Sequence, residues 1–471
     1  MNLMPDGPEA GNNDDYLTGK WQAWFAFAMT FTLMLFDYID RQVIVSLFPH
    51  IKSEWNLSDK QLGSLVSIIS IVVAAGGIPV ALLADRVSRV KSIVVMGTVW
   101  SVATISCMFT VNYSQLFTAR ALVGAGETGY GSVGAALIST QFPKRLRSTV
   151  LGAFFAAGSL GSVLGVFLGG LIATQWGWRA AFGVVGVPGL VLALLYLFVR
   201  DYKTVALTPK SSSVSQSVGG ALKHIFGTLL RTRTLLWVCI AGAMQLVTMS
   251  AVTAWLTSFL NRFHGMVPAD AARHTALVIL ASAAGVLFWG VVVDRLARRR
   301  PRNKLVGVSV LCVATSVTFM FAFSGIYTGD AQFKLIVLGG FFMNSLIGIV
   351  TGIVMDVTHP SMRATGAALL AVILNLLGLA VGPFLTGVLS DQWGLQQALA
   401  VVPVFSVLAA ALFVIAMRSY DADVARVSNV KLDVAPPLTG NLTTSTAART
   451  LDDDKRHKAN AQLDRIEDEL V

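Results

Sequence analysis

The sequence predicts an all-α membrane protein in which twelve transmembrane helices form two pseudo-symmetric six-helix bundles. Three observations support this prediction: an apolar composition, twelve apolar segments of membrane-spanning length, and an internal repeat. Of the 471 residues, 54% are apolar and only 13% are charged, about half the charged share of an ordinary soluble domain. A water-soluble fold of this size needs more polar surface, and a disordered chain has fewer apolar residues, so both classes are excluded.

A helix needs roughly 20 apolar residues to cross the hydrocarbon of a bilayer, and twelve segments approach or exceed that length. The segments of the first half are 22–48, 60–84, 91–111, 115–139, 148–172 and 180–199. The segments of the second half are 234–260, 273–294, 304–325, 333–357, 364–388 and 396–417. We expect the first segment to be a permanent span and not a cleaved signal peptide, because it follows a polar stretch and contains charged residues.

The polar stretches between and around these segments predict the domain organisation. The predicted parts are an N-terminal tail at 1–20, a bundle at 21–199, a linker at 200–233, a bundle at 234–418 and a C-terminal tail at 419–471. The linker is polar and contains several serines. Both tails are polar and only weakly periodic, so we expect them to be mobile.

The distribution of basic residues predicts the orientation of the chain in the membrane. Lys and Arg are concentrated in the loops that follow even-numbered spans, such as 200–233 and 295–304. The loops at 112–115 and 390–397, which follow odd-numbered spans, contain none. Basic loops stay in the cytoplasm, so both termini are predicted to be cytoplasmic. The net charge of +10 then suits anionic membrane lipids, and we expect no nucleic-acid partner.

The two halves of the sequence repeat. Asp85-Arg86 at the end of the second span recurs as Asp294-Arg295 at the end of the eighth, an offset of 209 residues. A second set recurs at an offset of 217 residues: Gly165, Gly170, Trp176 and Gly177 match Gly382, Gly387, Trp393 and Gly394. Six spans in each half preserve the orientation, so the repeat is parallel. Two such halves facing each other would enclose a central cavity, which suits alternating access.

Several motifs resemble those of the major facilitator superfamily. Residues 290–299 read GVVVDRLARR, which is similar to the signature loop Gly-x-x-x-Asp-Arg-x-x-Arg-Arg of that superfamily. Residues 81–90 read ALLADRVSRV and depart from the signature at Ala81 and Val90. Residues 120–127, RALVGAGE, resemble the arginine-and-glycine motif of the fourth span. The resemblance implies the major facilitator fold and a transport function.

Two further motifs resemble a branch of that superfamily, the Spinster-like transporters. Residues 37–41 read DYIDR and residues 120–130 read RALVGAGETGY; the branch has Asn-Tyr-x-Asp-Arg and Arg-Gly-Leu-Val-Gly-x-Gly-Glu-Ala-Ser-Tyr. Asp37 departs from this pattern, which usually has Asn. The anion:cation symporter branch is the second resemblance, since it also has Asp-Arg in span 1 and Glu in span 4. The first branch implies proton-linked movement of lysolipids or sphingosine-type lipids, and the second implies uptake of sugar acids and other organic anions.

Five charged residues fall inside predicted spans: Asp37, Asp40, Arg41, Arg120 and Glu127. A charged side chain at the centre of a membrane helix costs roughly 2.5–3.5 kcal/mol on insertion scales, so such residues indicate function. Three acids share two bases, and an acid without a basic partner in a low dielectric favours its neutral form. We therefore expect a proton carrier, with Glu127 the first candidate and Asp40 the second.

Our hypothesis from the sequence is that Asp40 and Glu127 compete for Arg41 and Arg120, and that protonation frees an arginine. The alternative is a static ion-pair network that only fixes helix packing.

The signature loops predict a cytoplasmic gate. The resemblance implies that Asp85 lies near the start of span 11 and Asp294 near the start of span 5, where a carboxylate suits the positive end of a helix dipole. Each can also pair with an arginine of the other half. The predicted gating residues are Asp85, Arg86, Arg89, Asp294, Arg295, Arg298, Arg147 and Arg363. The alternative is that the arginines serve topology alone.

Spans 7 to 12 contain almost no charge near the membrane centre, so we expect substrate selection to draw more on this half. The candidate substrate-binding residues are Tyr130, Gln245, Trp255, Asn344 and Asn375. The alternative for each is ordinary hydrogen bonding or packing between helices.

The leading interpretation is a proton-coupled secondary transporter, and not an enzyme, for a small amphipathic or lysolipid-like molecule. A symporter of organic anions and a multidrug efflux antiporter are the alternatives; a channel or a sensor fits less well. Cys107, Cys239 and Cys312 are too few and too widely spaced for a disulfide framework or zinc site, and no metal or cofactor is expected. The expected partners are membrane lipids, protons and the organic substrate, with the chain a monomer in a bacterial inner membrane.

Overall fold

The computed structural model describes residues 16–201, 227, 232–298, 300–359 and 363–428. Most of the predicted linker and most of both predicted tails lie outside these residues. Every regular element within the described ranges is a helix.

The first half contains seven α-helices, of which α7 is followed by a short 3-10 turn, Tyr196–Phe198. The helices are α1 (Lys20–Trp55), α2 (Asp59–Arg86), α3 (Arg89–Cys107), α4 (Tyr113–Glu127), α5 (Tyr130–Gln141), α6 (Lys144–Trp176) and α7 (Trp178–Leu195).

The second half contains nine α-helices, with a π-helical segment, Leu374–Leu379, between α13 and α14. The helices are α8 (Arg233–His264), α9 (Pro268–Ala297), α10 (Asn303–Phe323), α11 (Gly329–Met343), α12 (Leu346–Val357), α13 (Arg363–Ile373), α14 (Val381–Trp393), α15 (Leu395–Val401) and α16 (Val404–Ser428).

These helices account for the twelve predicted spans. Eleven stretches of the described chain are long and apolar enough to cross a membrane. The twelfth span, the fourth in order, consists of α4 and α5, which are each too short because the helix breaks at Thr128 and Gly129. Span 10 also breaks, at Asn344 and Ser345, between α11 and α12.

The last helix is longer than predicted. The second bundle was expected to end at residue 418, but α16 continues to Ser428. Tyr420 in the additional turns is 1% exposed and donates a hydrogen bond to Asp356, 3.0 Å away. Asp423 accepts one from the backbone N–H of Thr234 at 3.1 Å, at the start of α8. These buried contacts hold the extra turns against the bundle.

The sequence repeat is also a structural repeat. Gly177 and Gly394, at an offset of 217, have the same left-handed conformation, with φ of 83° and 86°. At an offset of 209, Asn56 and Gly265 end α1 and α8 in the left-handed region, with φ of 49° and 62°. The helix breaks of spans 4 and 10 follow Glu127 and Met343, an offset of 216. The two halves therefore share turns as well as spans.

The two halves pack tightly at one end of the bundle, which we call the outer end after the predicted topology. It carries the turns at Asn56 and Gly265. Gly63 in α2 leaves no room for a Cβ against the backbone of Pro383 in α14. Gly170 in α6 lies equally close to α9. These glycines allow helices of opposite halves to approach closely.

The buried apolar residues show that the opposite, inner end is organised differently. At the outer end one cluster includes side chains of both halves, such as Phe48 and Trp255. Towards the inner end the clusters separate: one around Trp100 and Phe142 belongs to the first half, and one around Leu305 and Phe413 belongs to the second. The described residues therefore form a molecule that is sealed at the outer end and parted at the inner end.

The contact between α1 and α6 generates a prediction for Gly161→Ala. A Cβ there would overlap the carbonyl of Leu35 and lie 2.9 Å from the Cβ of Tyr38. Overpacking of this kind costs about 1–3 kcal/mol, so the variant should have a lower thermal unfolding temperature in detergent.

The matched control is Gly152→Ala in the same helix, because a Cβ at Gly152 meets nothing within 4 Å. We expect its stability to stay the same or to rise by up to about 1 kcal/mol, since alanine favours helix. Equal losses in the two variants would contradict the packing account.

Candidate functional site

The break in span 4 positions the candidate site. α4 ends at Glu127, and Gly129 has φ 82°, which only glycine adopts readily. The Thr128 hydroxyl donates to the Gly124 carbonyl at 2.7 Å. Gly126 lies so close to the backbone of Trp100 that no Cβ would fit. Glu127 is therefore the last helical residue of a segment held tightly against α3.

Arg41 lies between two buried carboxylates. Its Nε is 3.5 Å from Oδ2 of Asp37 and 3.0 Å from Oε2 of Glu127. Asp37 is 3% exposed and Glu127 2%, whereas the Arg41 side chain is 20% exposed. The guanidinium also lies over the ring of Tyr38, 5.6 Å from its centroid. We call Asp37, Arg41 and Glu127 the Arg41 cluster.

Asp40 belongs to a second cluster, with Arg120 and Thr104. Nη1 of Arg120 is 3.3 Å from both Oδ1 and the backbone carbonyl of Asp40. The Thr104 hydroxyl donates to Oδ2 of Asp40 at 2.6 Å. Arg120 is fully buried. One acid and one base are matched here, and a hydroxyl occupies the second carboxylate oxygen.

This pairing differs from the competition expected between Asp40 and Glu127. Glu127 shares Arg41 with Asp37, while Asp40 is paired with Arg120. The reason is geometric: side chains tilt towards the N-terminus of their helix, so Arg41 extends back towards Asp37 one turn earlier. The surplus acid therefore lies in the Arg41 cluster.

The predicted gating residues do not meet in this conformation. Asp294, Arg295, Arg298 and Arg363 are exposed. Nε of Arg147 donates to the carbonyl of Phe142 in its own half, at 3.0 Å.

Arg89 likewise contacts its own half, with Nη1 3.2 Å from the Thr140 hydroxyl. The side chains of Asp85 and Arg86 lie outside the described residues. Among described side chains, no ion pair joins Asp294 to Arg147, because the halves are parted at the inner end.

A charged network at the outer end was not anticipated from the sequence. Asp59, the first residue of α2, is 2% exposed. Nη1 and Nη2 of Arg262 in α8 donate to its two carboxylate oxygens at 2.7 and 2.8 Å. Lys52 bonds the same carboxylate, and the Ser390 hydroxyl donates to it at 2.5 Å.

Asp391 completes this network from the second half. It accepts hydrogen bonds from the backbone N–H groups of Asp59 at 2.8 Å and Lys60 at 2.9 Å. It therefore caps the start of α2. We call Asp59, Arg262, Lys52, Ser390 and Asp391 the outer latch. Sequence reasoning missed it because Asp59 follows Ser58 and looks like an ordinary first-turn acid, while its partners are hundreds of residues away.

Two of the predicted substrate-binding residues are enclosed by protein. Tyr130 is 1% exposed and donates to the Thr30 carbonyl at 2.7 Å. Trp255 is fully buried, donates to the Pro383 carbonyl at 3.0 Å and packs on Phe48 beneath the outer latch.

Gln245 and Asn344 line a cleft beside the break in span 10. Nε2 of Gln245 is 3.1 Å from the carbonyl of Met343. Asn375 lies nearby in sequence to the cleft residue Leu374, in the π-helical segment, and donates to the Ala371 carbonyl at 2.9 Å. The structure thus separates these five candidates into enclosed residues and residues near a cleft.

Comparisons with known proteins agree on one family. The model of the Major Facilitator Superfamily matches residues 30–369 and 275–449. A bacterial Spinster homologue solved in an inward-facing, unoccupied conformation aligns with a TM-score of 0.76 at 22% identity, covering 86% of this chain and 99% of that one.

Three curated relatives show the range of similar sequences. An MFS-type efflux pump of Mycolicibacterium smegmatis is 29% identical, covering 82% of this chain and 89% of its own. Protein spinster homolog 3 of Danio rerio is 26% identical, covering 82% and 80%. The cis,cis-muconate transport protein of Acinetobacter baylyi is 27% identical, covering 61% and 70%.

The outer latch generates a prediction for Asp59→Asn. Hydrogen bonds between charged groups are worth about 1.5–3 kcal/mol each, so the substitution should loosen the outer end. The reporter is a cysteine at Ser67, which is 3% exposed and one turn beyond Gly63 on the face that packs against α14. With the native cysteines replaced by alanine, a membrane-impermeant maleimide should label this reporter about tenfold faster, a shift of roughly 1.4 kcal/mol.

The control is Asp270→Asn, because Asp270 is an acid of the same end whose ion pair is with Arg273 in its own helix. Its labelling rate should equal that of the unsubstituted reporter. An unchanged rate in Asp59→Asn would mean that the latch does not hold the halves together.

Proposed function

The chain belongs to the Major Facilitator Superfamily, and from this premise we propose that it is a proton-coupled secondary transporter for a small amphipathic organic molecule. Its relatives are transporters and not enzymes. Within the family it resembles the Spinster proteins, and organic-anion transporters form a second group of relatives. The proposal concerns the coupling ion, the substrate and the way the gates work.

The observation that carries the proposal is the excess acid in the Arg41 cluster. Asp37 and Glu127 are both buried, and both lie within ion-pair distance of the single guanidinium of Arg41. A buried carboxylate is stable when its charge is matched. Two carboxylates and one cation therefore favour a cluster that holds one proton, shared by Asp37 and Glu127.

Loss or gain of this proton changes what Arg41 binds. With one carboxyl neutral, Arg41 pairs with the other; with both ionised, the cluster carries a net negative charge that favours proton uptake. Glu127 is the residue next to the left-handed Gly129 at the break in span 4. A change in its charge therefore acts at a point where the two parts of this span are free to change their angle.

Alternating access then requires two seals that are not closed together. The outer latch is closed in the described conformation, and the halves are parted at the inner end. We propose that the outward-open state breaks the latch and forms the predicted inner contacts of Asp294 with Arg147 and of Asp85 with Arg363. Each seal would offset the loss of the other, which keeps the two states close in free energy.

An organic anion is the second candidate substrate, favoured by the similarity to the muconate transport protein. Export of amphipathic compounds is the third, favoured by the similarity to the mycobacterial efflux pump. We further propose that the protein acts as a monomer in a bacterial inner membrane, where basic residues at the inner end, such as Arg295 and Arg298, contact anionic lipid headgroups.

The proposal predicts the behaviour of Glu127→Gln. In proteoliposomes with a pH-sensitive dye, a proton gradient should drive accumulation of at least one compound from a panel of a lysophospholipid, N-lauroylethanolamine, muconate and a hexuronate. The variant should lose gradient-driven accumulation and the accompanying proton movement, because the cluster then has one acid and one base. Gradient-free exchange of the same compound should persist.

The matched control is Glu54→Gln, since Glu54 is an acid on the same helix as Arg41 whose side chain is 42% exposed and pairs with Arg179 at 2.8 Å. It should accumulate substrate as the wild type does. Full proton-driven accumulation by Glu127→Gln would favour a static ion-pair network. Flux through the wild type that ignores the gradient would exclude proton coupling.

A further inference from the structure

The cleft beside the break in span 10 is the counterpart of the Arg41 cluster. Met343 precedes this break as Glu127 precedes the break in span 4, at the repeat offset of 216 residues. In corresponding positions of a repeat, interrupted helices are the best pointers to a binding site. The first half places charges at its break, whereas the second half has a cleft with neutral side chains.

The polar groups of the cleft have unused acceptors. Gln245 is 2% exposed, and its Nε2 donates to the Met343 carbonyl, which fixes the orientation of the amide. Oε1 of Gln245 is buried and has no hydrogen-bond partner, and the same is true of Oδ1 of Asn344. Buried acceptors are normally satisfied, so each unsatisfied one requires an explanation. A ligand that donates hydrogen bonds would satisfy both.

The remaining walls of the cleft are apolar. They are formed by side chains such as Leu246, Ile347, Val350 and Leu374. No lining residue carries a charge, so nothing in the cleft would neutralise a carboxylate. Ile347 is 43% exposed, which leaves an apolar edge beside the two amides. The cleft therefore combines acceptors for a polar group with a surface for a hydrocarbon chain.

We propose that this cleft binds the polar end of the transported molecule, that the ligand donates hydroxyl or N–H hydrogen bonds to Gln245 and Asn344, and that carboxylates are disfavoured. This inference rests on the proposed transport function and narrows its substrate class. An ionised carboxylate has only acceptors, so it would face the amide oxygens without a donor. The cleft thus favours amphipathic alcohols, amides and amines over organic anions.

The test uses two probes that differ only at the polar end: N-lauroylethanolamine, with a terminal hydroxyl, and N-lauroylglycine, with a terminal carboxylate that is ionised at neutral pH. Binding of each radiolabelled probe is measured with the full chain in nanodiscs, with empty nanodiscs as background. The wild type should bind the alcohol at least about tenfold more tightly. Gln245→Met and Asn344→Leu should each weaken this binding about five- to tenfold, the effect of one lost hydrogen bond.

The matched control is Gln141→Met, because Gln141 is 1% exposed and its Oε1 is also unpartnered, yet it does not line the cleft. It should bind the alcohol as the wild type does, and thermal unfolding of all variants checks the fold. Tighter binding of the carboxylate, no saturable binding of the alcohol, or equal losses in Gln141→Met would each overturn the inference.

Proton-driven flux is measured separately. If coupling fails while the wild type prefers the alcohol, the proposed coupling is wrong and the assignment of the cleft stands. If coupling holds while the carboxylate is preferred, the reverse applies.

Discussion

The structure depends on one constraint, which is that charges inside the membrane must be matched by other charges. Asp37, Asp40, Arg41, Arg120 and Glu127 all lie within the first bundle, and each makes an ion pair with another. Because the partners are on different spans, the pairs tie α1 to α4 across the interior of that bundle. One guanidinium serves two carboxylates in the Arg41 cluster, so the matching is incomplete there. A proton completes it, and this is the physical basis of the proposed coupling.

The repeat gives the same architecture to both halves but different chemistry. Both halves break a span at equivalent positions, and the break places polar groups inside an apolar bundle. In the first half those groups are ionised and tied to a neighbouring helix. In the second half they are the amides of Gln245 and Asn344 beside an apolar cleft. A division between a proton-binding half and a substrate-binding half follows from this difference, while the outer latch joins the two.

The twelve spans and the repeat were predictable because each rests on a local signal: the length of apolar segments, or residue types recurring at a fixed offset. The family resemblance also rested on short motifs. The break at Gly129 was not predicted, since a glycine within an apolar span is common and does not reveal its φ. Nor was the pairing of Arg41 with Asp37 and Glu127 instead of Arg120's partner Asp40, because depth along a helix does not fix side-chain direction. The outer latch was invisible for a related reason: Asp59 and Asp391 are distant in sequence, and only the packing of α2 against α14 brings them together.

The central claim is that one proton is shared within the Arg41 cluster. Infrared difference spectroscopy of the protein in lipid, which detects the C=O stretch of a protonated carboxyl group, tests it most directly. The account predicts a band from a buried carboxylic acid in the wild type that persists in Asp40→Asn. The same band should be absent from both Asp37→Asn and Glu127→Gln, because each leaves one acid for one base. A wild type without the band, or a band that survives both substitutions, would contradict the account.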